Sequence, residues 1–92
     1  MSFYLKDPGS RVDYAMDWRG YLDGQIIVAS AWSLGQDDEG GIAIEAESFD
    51  LEQAAVTLSG GVAGQVYAVV NRVTLSDGAI DERALTIRVE QR

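Results

Sequence analysis

Carboxylates are the most plentiful reactive groups in this chain, and they crowd its middle. Asp37, Asp38, Glu39, Glu45, Glu47, Asp50 and Glu52 all fall between Gly35 and Gln53. Hard cations want several oxygens converging on one point, so a calcium site is one reading of this cluster. The Asp-x-Asp-x-Asp-Gly spacing of a dedicated calcium loop is missing, and a solvated acidic loop explains the residues without a metal. Two carboxylates can also act as acid and base on a glycosidic bond. A chain of 92 residues has little room for a cleft that would hold a sugar and shift a pKa.

Two absences narrow the chemistry further. There is no histidine, which removes the usual general base near neutral pH and the Ser-His-Asp and Cys-His arrangements. There is no cysteine, so neither a disulfide framework nor a thiolate metal site can form, and stability must come from core packing. No catalytic residue, cofactor or metal is therefore expected. Gly60-Gly61-Val62-Ala63-Gly64 superficially resembles a phosphate-cradling loop, but it carries no lysine and leads into a strand, which makes it a turn. Trp18, Tyr21 and Trp32 could form a sugar-stacking platform. Their alternation with Val12, Tyr14, Ile26 and Val28 instead places both tryptophans in a core.

The net charge is −8, from fifteen acidic and seven basic side chains. Such a surface repels phosphate backbones and anionic lipid, so neither nucleic acid nor a membrane surface is an expected partner, although a basic protein could be steered to it. No run approaches the roughly 20 apolar residues of a membrane span. Met1 to Pro8 does not read as a signal peptide, because Asp7 interrupts a short apolar stretch. The expectation is a chain kept in the cytoplasm or built into a particle assembled there.

The elements that must carry these residues are strands. Apolar residues recur with period two over short runs broken by glycine. Val12, Tyr14, Met16 and Trp18 share one face of the first run, with Asp13 and Asp17 opposite. The second, Gln25 to Leu34, is apolar on both faces: Ile26, Val28, Trp32 and Leu34 against Ile27, Ala29 and Ala31. In the third, Ile42, Ile44 and Ala46 are expected inward and Glu45 and Glu47 outward. Ala54, Val56 and Leu58 mark the fourth; Tyr67, Val69, Val73 and Leu75 the long fifth; Leu85, Ile87 and Val89 the last. Ser76-Asp77-Gly78 supplies hairpin turn chemistry between the final two.

Runs spaced about 10–12 residues apart predict an all-β fold, an immunoglobulin-like antiparallel β-sandwich of about six to seven strands. It would form one domain over residues 1–92, with residues 1–10 as a possible extended arm carrying Phe3, Tyr4 and Leu5. Tyr67, at the start of the penultimate strand, stands where such sandwiches use a tyrosine hydroxyl to tie back the preceding corner; an ordinary strand tyrosine is the alternative. With Tyr67, Val69 and Val73 inward, Val66, Ala68 and Val70 face out, joined by Ala84 and Thr86 and by Ile27, Ala29 and Ala31. An outer sheet face so poor in charge is a candidate protein interface.

Taken together, these residues resemble a family of small tailed-bacteriophage proteins described as fiber–tail adaptor or virion structural proteins. The likeness lies in Lys6-Asp7-Pro8, Val12 to Trp18 with Tyr21-Leu22, Ile26 through Trp32, Leu58 to Tyr67, Thr74 to Gly78 and Asp81 to Val89. Only the acidic stretch Gly35 to Gln53 departs from it. The resemblance implies a non-enzymatic virion component, an adaptor at the tail or head–tail region. It would be assembled in the host cytoplasm and bind other phage structural proteins (tail, fiber or connector) in a symmetric array. A carbohydrate- or host-surface-binding module and a capsid decoration protein are the alternatives.

Overall fold

A computed structural model describes residues 2–34 and 41–91; the acidic triplet Asp37-Asp38-Glu39 lies outside them. Among the described residues the chain forms seven strands: β1 (Ser2–Lys6), β2 (Arg11–Asp17), β3 (Ile27–Leu34), β4 (Ile42–Phe49), β5 (Gln53–Gly60), β6 (Val66–Leu75) and β7 (Ile80–Val89). One 3-10 turn, Arg19–Tyr21, follows β2. The strands build a four-stranded sheet A in the order β1-β7-β6-β3 and a three-stranded sheet B in the order β2-β5-β4.

Period-two alternation gives β2, β5, β6 and the second half of β7 a buried face, and the two apolar faces close on one another. Met16, Trp18, Val56 and Leu58 from the sheet B side meet Val69, Val73, Leu85 and Ile87 of sheet A, all at most 2% exposed. The fold is thus the immunoglobulin-like sandwich expected from the spacing of the runs. The residues for which an extended arm was considered pair instead as β1, parallel to β7, with Ser2 opposite Leu85 and Lys6 opposite Val89. Tyr4 packs its ring 4.9 Å from that of Tyr14, closing the side of the sandwich where β1 faces β2.

Two β-bulges correct the expected facing of β3 and β4. In β3 the register slips between Ile27 and Ala29, so Val28 is an extra residue and the alternation changes phase. Ile27 therefore turns into the core at 2% exposed, while Ile26 and Val28, expected inside, lie exposed. In β4 the slip falls between Ile44 and Ala46. Beyond it Ala46 is exposed, and Glu47 sits opposite the core residue Val56. Its carboxylate accepts a hydrogen bond from the Trp32 backbone N–H at 3.1 Å, which caps part of the open edge of β3.

Two buried polar groups tie the layers together. Asn71, on the inner face of β6, accepts from the Trp18 indole N–H at 2.8 Å and donates to Ser30 Oγ at 2.9 Å and the Ala31 carbonyl at 3.2 Å. Lys6, 1% exposed, donates its ammonium to the carbonyls of Asp7, Ser10 and Gly60 at 3.0, 2.6 and 2.6 Å. Burial pushes its pKa down, and the nearby Asp7 carboxylate only partly opposes this.

Candidate functional site

Among the described residues, three of the four carboxylates of the middle stretch are hydrogen-bonded within the fold. Glu45 accepts from Ser59 Oγ at 2.6 Å, Glu47 caps β3, and Asp50 accepts from the backbone N–H groups of Glu52 and Gln53. Among the described residues no three acidic side chains come together as a metal site would need. The Gly60–Gly64 corner is equally occupied. Gly61 N–H donates to Gly41, Gly64 N–H to Val89, and Val62 N–H to the Tyr67 hydroxyl at 3.0 Å. Those amides would have to cradle an anion, and they are spent. The Tyr67 bond also shows that the tyrosine ties back its corner.

The three aromatics do not form a platform. Trp18 and Trp32 are 1% and 6% exposed, whereas Tyr21 is exposed and meets Trp18 edge-on at 5.7 Å. Arg83 lies 4.2 Å from the Tyr21 ring centre and 5.2 Å from that of Trp18, and donates to the Asp17 carbonyl. The Arg19 guanidinium chelates the Asp17 carboxylate and holds its pKa down at about 2. Burial, with a smaller contribution from Tyr4, pushes the Tyr14 phenol up.

What remains is surface. The pairing of β7 with β6 and of β6 with β3 sets out the outer face of sheet A in rows. Arg88 lies beside Val66, Thr86 beside Ala68, Ala84 beside Val70 and Ser33, and Glu82 beside Arg72 and Ala31. The central rows hold only small or apolar side chains. The charges at either end are paired, Arg72 with Glu82 at 3.7 Å and Arg88 with Glu90 at 3.1 Å. Val66, Ala68 and Ala84 are exposed and Val70 is half-buried, so no loop of the described chain covers this band.

The residues singled out from sequence divide accordingly. Val66, Ala68 and Val70 lie together on this band, and Ala29 and Ala31 flank it across β3 with Arg72 beside Ala31. Ile27 is withdrawn from the set, because the β3 bulge buries it. Sequence reasoning also passed over Asn71, the polar member of an apolar series, and the exposed Leu51. For Leu51 the signal was available: an apolar residue between two acids, Asp50 and Glu52, where two strands turn.

Sheet B presents a different exterior. Asp13 accepts from Thr57 Oγ1 at 2.5 Å and Glu45 from Ser59, and the small pair Ala15 and Ala55 follows along the strands beyond Thr57. A shallow depression of ≈ 170 Å³ there, bordered by Asp13, Ala46 and Thr57, is smaller than the roughly 300–1,000 Å³ of ordinary small-molecule sites.

Comparison with known proteins adds three findings. A family model described as "Gp77: Podophage GP4 fiber-tail adaptor protein gp77" matches residues 6–88. Among solved structures, the PKD domain from KIAA 1837 protein superposes with a TM-score of 0.64 at 15% identity, covering 100% of this chain and 83% of that one. That likeness is one of fold. No curated protein matches the chain.

Proposed function

The chain belongs to the podophage GP4 fiber-tail adaptor family, and on that premise we propose that it is a non-enzymatic virion subunit that docks through the outer face of sheet A. The observation that carries this reading is the neutral band of Val66, Ala68, Val70, Ala84 and Thr86, exposed or half-buried on the sheet's outer face, on a protein of net charge −8. Flat, small side chains on a rigid sheet let a partner approach closely, and no isolated charge has to be desolvated. The partner is another tail, fiber or connector protein, and the chain is assembled with it in the host cytoplasm. Repetition of the contact around the particle's symmetry axis turns modest interfaces into a firm attachment.

Two measurements test this. Counting copies of the chain against the major structural proteins of purified particles should give a small ring-like number. Hundreds of copies would point to capsid decoration, and absence would overturn a virion role. Ala68→Arg places a long charged side chain at the centre of the band. It should abolish incorporation while leaving the thermal unfolding midpoint of the purified chain unchanged.

A further inference from the structure

A second exposed apolar surface lies at the end of the sandwich where β4 turns into β5. The turn is tightly held. Asp50 N–H donates to the Gln53 carbonyl, the Leu51 carbonyl accepts from Ile27 N–H at 3.0 Å, and the Glu52 carbonyl accepts from Trp18 N–H at 2.9 Å. With its backbone anchored to both sheets, the turn holds the Leu51 side chain out at 58% exposed. Ile26, 40% exposed, stands beside it, and with Asp50 and Glu52 the two border an open groove of ≈ 460 Å³. Ile26 is itself fixed from the other side, its N–H donating to Ser76 Oγ and its carbonyl accepting from Ser76 N–H. Phe49 and Val28, 46% and 50% exposed, extend the apolar surface along the neighbouring edges of β4 and β3.

Carboxylates dominate the charge around this groove. Asp50 and Glu52 flank Leu51, Asp23 lies in the loop that delivers Ile26, and Asp77 in the hairpin turn bonded to it. Among the described residues none of the four is in an ion pair. Arg19, the cation whose field reaches Glu52, is chelated by Asp17. A twofold pairing of copies through this surface would set carboxylates against carboxylates, which is costly.

We propose that this end of the sandwich is a second docking site, taking a segment of a different structural protein that inserts an apolar side chain between Ile26 and Leu51 and flanks it with lysine or arginine. The inference rests on the chain's being a virion adaptor and adds what joining two components requires: a second surface, chemically unlike the neutral face of sheet A. A preformed anchor costs little ordering on binding, and a central apolar contact ringed by complementary charge is how interface energy concentrates.

Photo-crosslinking in assembled particles tests it. Particles are built with Leu51→p-benzoylphenylalanine or, separately, Val66→p-benzoylphenylalanine, and crosslinked peptides are identified by mass spectrometry. The expected result is a position-51 crosslink to another virion protein, at a segment with Lys or Arg within a few residues and distinct from the segment reached from position 66. In parallel, Leu51→Lys should lower incorporation by at least about tenfold with an unchanged melting midpoint. A position-51 probe that stays unlinked in particles containing the chain, that links to a second copy, or that reaches a segment lacking basic residues overturns the inference and leaves the sheet A reading standing. Absence of the wild-type chain from particles overturns both.

Discussion

Replacing Asn71 by leucine removes the polar link between the sheets at nearly constant volume. The Trp18 indole N–H, on a residue 1% exposed, then has no acceptor. Leaving such a donor buried and unpaired costs about 1–3 kcal/mol, and the lost bonds to Ser30 and Ala31 bring the expected total to about 2–4 kcal/mol. A domain of this size has about 5–14 kcal/mol of stability in all, so the midpoint should fall by on the order of 10–30 °C. Trp18→Phe orphans the Asn71 carbonyl oxygen instead and should cost a similar amount. With both partners apolar, neither orphan exists, so the double variant should be more stable than the summed singles predict by about 1–2 kcal/mol. Urea unfolding of the four proteins, compared at equal m value, measures this coupling. Additivity within about 0.5 kcal/mol would refute the claim that this hydrogen bond couples the layers.

Three further outcomes follow from other contacts. Lys6→Met deprives three carbonyls of a charged donor while relieving the cost of burying an ammonium, a net loss of about 2–4 kcal/mol that denaturation should register. Because the folded Lys6 pKa is lowered from 10.5, the unfolded chain holds that proton longer, and the wild type's advantage over Lys6→Met should grow as pH rises through the window just below 10.5. Asp17 should titrate at about 2 by carboxyl-carbon NMR, and Arg19→Gln should return it toward 3.8; its contribution to stability is present above 3.8 and lost as pH falls through about 2. Gly60→Ala, at φ +73 with its new methyl driven into the Gly41 carbonyl, should cost more than about 3 kcal/mol, whereas Gly78→Ala, at φ +90 in open space, should cost only about 1–2 kcal/mol by thermal melts.

The alternation of Val12, Tyr14 and Met16, of Tyr67, Val69 and Val73, and of Leu85, Ile87 and Val89 was legible because each run keeps one phase from end to end. β3 was not, since a bulge carries no signature in a run apolar on both faces. Ile26 to Leu34 reads equally well in either phase, and only pairing with β6 decides that Ile27 goes in and Val28 comes out. β4 failed for a different reason: its alternation looks regular through Glu45 and Glu47, and only pairing with β5 reveals the slip between Ile44 and Ala46. β1 could not be told from an extended arm, because five residues flanking a parallel neighbour show neither a hairpin turn nor a full alternation. On the outer face of sheet A, Val66, Ala68 and Val70 were legible from β6 alone. The groove at Leu51 depends on hydrogen bonds reaching from Ile27 and Trp18, which no local pattern encodes.

The parallel pairing of β1 with β7 bears on when the protein can come into being. β1 must wait for β7, about eighty residues later in the chain, since Ser2 lies opposite Leu85. Contacts so distant along the chain make for slow folding. Sheet A, and with it the face proposed for docking, is therefore complete only once β7 has been made. A chain cut short before β7 would leave β1 without a partner and β6 as a bare edge of the sheet.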